Sequence, residues 1–173
     1  MRTNEEILAA RAKLISGDRF VRDEQSGDEI SVVEFMLAPE RYAVEQQFAD
    51  EVMLLKDLTP IPGVPDFVAG ITNIRGRILS VLNLKILLGI TSKGITELNR
   101  IVILKNNKME FGILTDSILG TRILPQGHLA RKPETLQGTS AEYVKGISDD
   151  GMILLDCERM LSAKAITINQ KQK

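Results

Sequence analysis

The sequence predicts a mainly β protein of the barrel or sandwich class, on three observations. From Ile30 onwards, short segments of strand character follow one another with turn residues at close intervals. No βαβ alternation is present, which argues against a doubly wound sheet. A strand-turn-strand-helix pattern also occurs twice. Gly70-Ile71-Thr72 leads through a turn to Gly76-Arg77-Ile78-Leu79, then Leu82-Asn83 and a short apolar helix. Gly146-Ile147-Ser148 leads through a turn to Gly151-Met152-Ile153-Leu154, then Leu155-Asp156 and again a short helix. Two copies of one unit suggest two similar barrels.

Taken in order, the elements begin with a helix over Asn4 to Ser16. Ile7, Leu8, Leu14 and Ile15 fall on one face, Asn4 could cap its start and Gly17 its end. So short a helix needs something to pack on, either its own domain or a partner. Asp18 to Glu29 read as a linker rich in charge, Ser and Gly. Ser31 to Leu37 place Val33, Phe35 and Leu37 on one strand face, Pro39-Glu40-Arg41 make a turn, and Tyr42 and Val44 begin a second strand. Val52 to Leu55 are a third candidate. Ile71 to Ile74 and Arg77 to Leu82 flank Arg75-Gly76, a two-residue connection suited to a tight hairpin. Arg100 to Lys105 and Lys108 to Thr115 flank Asn106-Asn107, where Asn tolerates the positive φ of a hairpin turn. Val144 to Ser148 and Met152 to Leu155 flank Asp149-Asp150-Gly151. Short helical turns are predicted at Leu84 to Leu88 and Glu158 to Leu161.

Composition bounds the function. Apolar residues make up 43% of the 173, enough for a packed interior, but only 4% are aromatic and there is no Trp, so the core must be aliphatic. A formal net charge of -1 gives no basic field for generic nucleic-acid binding. The N-terminus lacks the apolar core of a secretory signal, and no apolar run approaches the about 20 residues that span a bilayer. The single cysteine, Cys157, fits a reducing compartment. The expectation is a cytoplasmic globular protein with no direct membrane insertion.

Catalytic chemistry finds little support. The one histidine, His128, sits in the loop-like Pro125-Gln-Gly-His-Leu and reads as a surface residue, and Cys157 follows an apolar strand and reads as a structural thiol. No Cys or His pair has metal-ligand spacing, and neither a dinucleotide fingerprint nor a phosphate-binding lysine loop occurs. The reading is a protein that is not an enzyme and needs no cofactor or metal. Thr59-Pro-Ile-Pro-Gly-Val-Pro-Asp-Phe stands apart from plain packing. Its three prolines in six residues cannot lie in a helix interior or central strand, and they stiffen a connection that presents a surface. Arg75, at the tip of the next hairpin, carries a planar guanidinium able to bridge carboxylates or carbonyls.

These residues carry a family resemblance. Pro60-Ile-Pro-Gly-Val-Pro, Phe67-Val-Ala-Gly-Ile-Thr-Asn-Ile-Arg-Gly and Ile78-Leu-Ser-Val-Leu-Asn-Leu together resemble the signature of CheW-like domains. Tyr42-Ala-Val with Asp50-Glu51-Val52 looks like the family's second strand and its acidic turn. Phe111-Gly112-Ile-Leu-Thr-Asp116 looks like its central strand, and Tyr143-Val-Lys-Gly146-Ile with Ile153-Leu-Leu-Asp156 like its closing hairpin. The resemblance runs from about Ile30 to about Ser162. It implies two intertwined, five-stranded SH3-like barrels over residues 30–168, after a helical extension and linker (1–29) and before a tail (169–173).

The function it implies is a non-enzymatic adaptor coupling methyl-accepting chemotaxis receptors to a CheA-type histidine kinase, at membrane-bound receptor arrays. The receptor's helical tip lies along an apolar groove between the barrels, and the barrel ends bind the kinase's homologous regulatory domain. Mapped by motif, Glu51 and Arg75 are the polar pair of the receptor groove, shaped by Gly70, Asn73 and Gly76. Val52, Leu54 and Ile78 are candidates for the kinase-facing end. Leu129, Pro133 and Leu136 belong to a second contact that closes rings of adaptor and kinase. Ser80 and Asn83 depart from the family's Pro-Val-Ile-Asp-Leu, which puts any ion pair at Asn83 in question, and Gln46 and Gln47 stand where apolar residues are frequent. The helical extension leaves open a non-motility pathway with a divergent kinase. Two other classes, a kinase's own regulatory domain or hybrid adaptor and an enzyme on a barrel scaffold, lack the segments or catalytic clusters they need.

Overall fold

The computed structural model describes residues 29–90, 94–95, 98–130, 139–164 and 166. The expected N-terminal helix with Ile7, Leu8, Leu14 and Ile15, and the candidates Pro133 and Leu136, lie outside these residues.

Two curled sheets share one core. In chain order the strands are β1 (Glu29–Leu37), β2 (Glu40–Glu45), β3 (Ala49–Leu54), β4 (Val68–Ile74), β5 (Arg77–Leu82), β6 (Arg100–Lys105), β7 (Glu110–Thr115), β8 (Ser117–Pro125), β9 (Leu129–Ala130), β10 (Val144–Ser148) and β11 (Ile153–Leu155). The short helices are α1 (Leu84–Leu87), α2 (Thr139–Glu142) and α3 (Cys157–Ser162). The first sheet runs β8-β1-β2-β11-β10-β9 and the second β3-β6-β7-β5-β4. The first therefore has six strands where five were expected, the sixth being only Leu129–Ala130.

The repeat read from the sequence is real and reaches further than the two hairpins. Residues 29–90 run hairpin, edge strand, hairpin, helix, and the described residues of 98–166 repeat that order with β9 and α2 added between the edge strand and the second hairpin. Each unit's first hairpin, however, sits in the other unit's sheet. β1–β2 pair with β8 and β11, while β6–β7 pair with β3 and β5. This exchange is what intertwines the barrels. Hairpin faces that look outward from one barrel therefore become the shared core: Val33, Phe35, Leu37, Tyr42 and Val44 meet Val102, Leu104, Phe111 and Ile113. Phe35 and Tyr42 stack with centroids 6.4 Å apart. Each barrel keeps its own aliphatic interior, with Val32, Ala43, Leu124, Met152 and Leu154 in the first and Ile74, Leu79, Val81, Ile101, Ile103 and Leu114 in the second.

Asp116 stands where the chain crosses back to the first barrel. Its carboxylate accepts from the Ala38 backbone N–H at 2.8 Å and pairs with Lys85 Nζ at 2.8 Å, joining both hairpins and α1.

Several boundaries differ from the reading of the sequence. Asp50, Glu51 and Val52 lie within β3 and not in an acidic turn, because a 3-10 turn, Gln46–Phe48, already reverses the chain. Glu40 and Arg41 belong to β2, so the turn shrinks to Ala38-Pro39. The β6–β7 connection is a four-residue loop rather than a positive-φ two-residue turn: Asn106 Oδ1 accepts from the Lys108 and Met109 amides and closes it. β8 was not anticipated. Its apolar residues at 118, 119, 123 and 124 break strict alternation because a bulge at Leu119 shifts the register against β1.

Candidate functional site

The β4–β5 hairpin shows how Arg75 is presented. Ile74 pairs with Arg77, leaving Arg75 and Gly76 as a two-residue loop with φ of +51° and +83°. Positive φ at both positions matches the twist of the strands, and Asn or Gly is its usual occupant. A side chain in the left-handed region costs roughly 1–2 kcal/mol, so arginine here is conformationally expensive. Asn73 Oδ1 accepts from the Gly76 amide at 2.9 Å and fixes the turn. The guanidinium reaches back to Glu51 on β3, Nη2 to Oε1 at 2.8 Å and Nη1 to Oε2 at 3.4 Å. Arg75 keeps 73% of its side chain exposed and Glu51 24%. One face of the guanidinium is held while the rest stays open to a partner.

The pair spans an open seam. β3 and β4 are the two edges of the second sheet and are not neighbours in it. Past the far end of β3 the seam is stitched by Thr72 Oγ1 donating to the Lys56 carbonyl at 2.9 Å and by the Thr59–Ile71 bridge. At the near end it is stitched by Glu51 and Arg75. Between the stitches lies a slot of about 200 Å³ lined by Val52, Met53, Leu54, Thr72, Asn73 and Ile74, among others. Val52 and Leu54 are nearly half exposed, and Ile78, opposite Asn73, is 59% exposed. Three large aliphatic side chains beside a fixed charge make a surface suited to protein contact.

The structure thus brings Glu51, Asn73, Arg75 and Gly76 together, with Val52, Leu54 and Ile78 beside them. Gly70 is not among them. It lies toward the far end of β4 at a bulge, where the Thr59 carbonyl oxygen occupies the place a Cβ would take. Gly146 holds the matching position in β10, with the Ala130 carbonyl against it. Leu129 turns inward and packs on the first barrel's interior. Asn83 is buried and its Oδ1 accepts from the Lys85 amide as the cap of α1, as Asp156 accepts from Arg159 at α3. The position asks for a cap, which Asn and Asp supply equally, so no ion pair is lost there.

A second opening of about 480 Å³ lies where the chain passes from one barrel to the other, lined by Gln47, Phe48, Ala49, Asp50, Lys105, Asn106 and Asn107. Phe48 and Ala49 rest on the shared core beneath it. Its lining is mostly polar. Gln47 contributes to this, with Nε2 donating to Glu45 at 2.6 Å.

Sequence reasoning missed a charge cluster in the first barrel. Arg122 on β8 meets Asp150 at 2.8 Å and Glu34 at 2.9 Å, and Arg41 meets Asp150 at 3.2 Å. Arg122 and the hydroxyl of Ser148 hold the Asp150 carboxyl well below the usual carboxylate range. The partners are as many as 109 residues apart, so only the correspondence of β8 with β3 could have pointed to them.

Comparison with known proteins agrees with this architecture. The CheW-like domain profile matches residues 31–165. The chain is 29% identical to the chemotaxis protein CheW of Treponema pallidum, over 84% of this chain and 88% of that protein. It is 30% identical to the protein FrzA of Myxococcus xanthus over 65% of this chain and 70% of that one. The crystal structure of the scaffolding protein TtCheW from Thermoanaerobacter tengcongensis superposes with a TM-score of 0.67 and 27% identity, covering 80% of this chain and 96% of that one. Its two SH3-like barrels correspond to the two sheets here. The family match spans most of the chain and coincides with the paired barrels: the chain belongs to the CheW-like domain family, the coupling and scaffold adaptors of chemotaxis.

Proposed function

We propose that this chain is a non-enzymatic adaptor that couples methyl-accepting chemotaxis receptors to a CheA-type histidine kinase in the cytoplasm. Residues 30–168 are its working domain, with 1–29 a leader and 169–173 a tail. The observation that carries the reading is Arg75. A left-handed arginine, tied to Glu51 across an open seam and flanked by Val52, Leu54 and Ile78, keeps a conformation that stability alone does not favour. Glu51, Asn73, Arg75 and Gly76 form the polar edge met by the receptor tip, and the three aliphatic residues take the kinase's regulatory domain. Gly70 serves the same surface indirectly, by seating β4 on Thr59. The segment from Leu129 through Pro133 to Leu136 supplies the second kinase contact. No described helix is long and apolar enough to cross a membrane, and in this reading the receptors supply the anchorage.

The test is binding of the purified chain to the kinase regulatory domain and to a receptor-tip helical hairpin, followed by Arg75→Ala. Nanomolar-to-micromolar association with both, and loss of receptor control of the kinase in a variant whose melting temperature is unchanged, are expected. No association with either partner ends the reading, and an unfolded Arg75→Ala makes Arg75 structural.

A further inference from the structure

The two units can be superposed through their registers. Leu104, paired with Phe111, corresponds to Phe35, paired with Tyr42. The edge strands then match to the residue, because each carries its bulge at that same point. The irregularity in β3 falls between Ala49 and Glu51, and that in β8 between Ile118 and Gly120. Val52 thereby corresponds to Thr121, Met53 to Arg122 and Leu54 to Ile123. In both barrels an ion pair ties the edge strand to the tip of the second hairpin, with the charges exchanged. The second barrel has its acid on the strand (Glu51) and its base on the tip (Arg75). The first has its base on the strand (Arg122) and its acid on the tip (Asp150).

The first barrel's tip gathers more than one element. Asp150 takes Arg122 from β8 and Arg41 from β2, and Ser148 from β10. The Oδ2 of the adjoining Asp149 lies 2.7 Å from His128 Nδ1, in the 3-10 turn Gln126–His128. Leu129 follows directly, and β9 pairs with Ile147 and Ser148 just before the tip. The turn therefore brackets both ends of the stretch from Arg122 to Leu129. At the position of Arg122 the other barrel simply uses Met53, packed on its interior. An apolar residue suffices there, and the Arg122–Asp150 pair, with side chains 32% and 45% exposed, contributes little stability, although Arg122 also faces the more buried Glu34 at 2.9 Å. Fixing geometry is what the charged version adds.

We propose that Arg122 and Asp150 are a positioning pair, which holds the open edge of the first barrel and β9 (Leu129–Ala130) in the orientation that a kinase contact at this edge requires. The kinase half of this inference rests on the adaptor reading above. Arg122→Met installs the other barrel's residue and Asp150→Asn keeps shape while removing charge. Each is expected to leave the melting temperature within a few degrees, to speed amide exchange at Leu129, Ala130 and Ile147 about tenfold, and to weaken binding of the kinase regulatory domain about tenfold. Binding of the receptor-tip hairpin, which belongs to the Arg75 side, stays unchanged. The double variant is no weaker than the worse single, since the two act as one unit, and Arg122→Lys recovers part of the loss. Exchange and affinity like those of the unsubstituted chain in Arg122→Met overturn the proposal. So do additive losses in the double variant, which mean that each group touches the partner itself. An unsubstituted chain that binds no kinase domain removes the kinase half together with the adaptor reading, while the exchange measurement still decides the clamp.

Discussion

Arg75 concentrates the trade between stability and function in one residue. Its backbone sits at φ +51° where Asn is at ease, and its side chain makes an exposed pair worth at most about 1 kcal/mol. Arg75→Asn is therefore expected to leave the melting temperature unchanged or slightly higher while partner binding is lost; a melting temperature several degrees lower shows that the pair with Glu51 holds the barrel shut. Cys157 is the opposite case. It lies at the start of α3 inside the shared core, and burial pushes its thiol up to about 12. Because the folded thiol ionises at higher pH than the unfolded one, its contribution is complete below the ordinary thiol range and is lost as pH rises toward the folded value. A thiol reagent at about pH 8 is expected to leave Cys157 unmodified until denaturant is added, and stoichiometric labelling of the native chain contradicts that burial. The sequence indicated the structural role of this thiol; its full burial depends on strands from both units.

Among the elements, the two second hairpins explain why their glycines recur. Gly70 and Gly146 each sit one residue before a bridge to a neighbouring strand or segment whose carbonyl oxygen fills the Cβ position. Backbone cannot retreat as a flexible side chain does, so Gly70→Ala and Gly146→Ala are each expected to lower stability by about 2 kcal/mol or more, read by denaturant midpoint. Gly76→Ala meets no atom and pays only for its positive φ, so it is the milder control. These hairpins were legible because turn residues and alternation are local. The helices α1 and α3 were legible too, as short apolar turns behind Asn83 and Asp156, whereas α2 (Thr139–Glu142) was not anticipated. β8 was not, since its bulge moves Leu119 out of phase and leaves Arg122 where an inward apolar residue is expected. The same bulge, at Asp50, explains why β3 begins three residues earlier than its apolar pattern suggests.

At the scale of the molecule, the exchange of first hairpins makes two repeats into one folding unit. Among the described residues, β1 and β2 find pairing partners beyond their own hairpin only in β8 and β11, on the far side of residue 98. A break between Ile90 and Leu98 should yield halves that do not fold alone and that restore one cooperative unfolding transition when mixed; a half that unfolds cooperatively by itself shows that the hairpins are not needed in trade. The sequence by itself determined the β class, the repeat, the two hairpin turns and the family signature around Arg75. All of these rest on residues near one another in the chain, where turn chemistry, alternation and motif act directly. Only the tertiary structure decided which barrel each hairpin joins, that Glu51 reaches Arg75 across an open seam, that Gly70 packs on Thr59 at a distance from Arg75, and that Arg122 meets Asp150. Those depend on strands brought together across the exchange and on bulges that change which side chains face inward, and a local pattern carries no record of either.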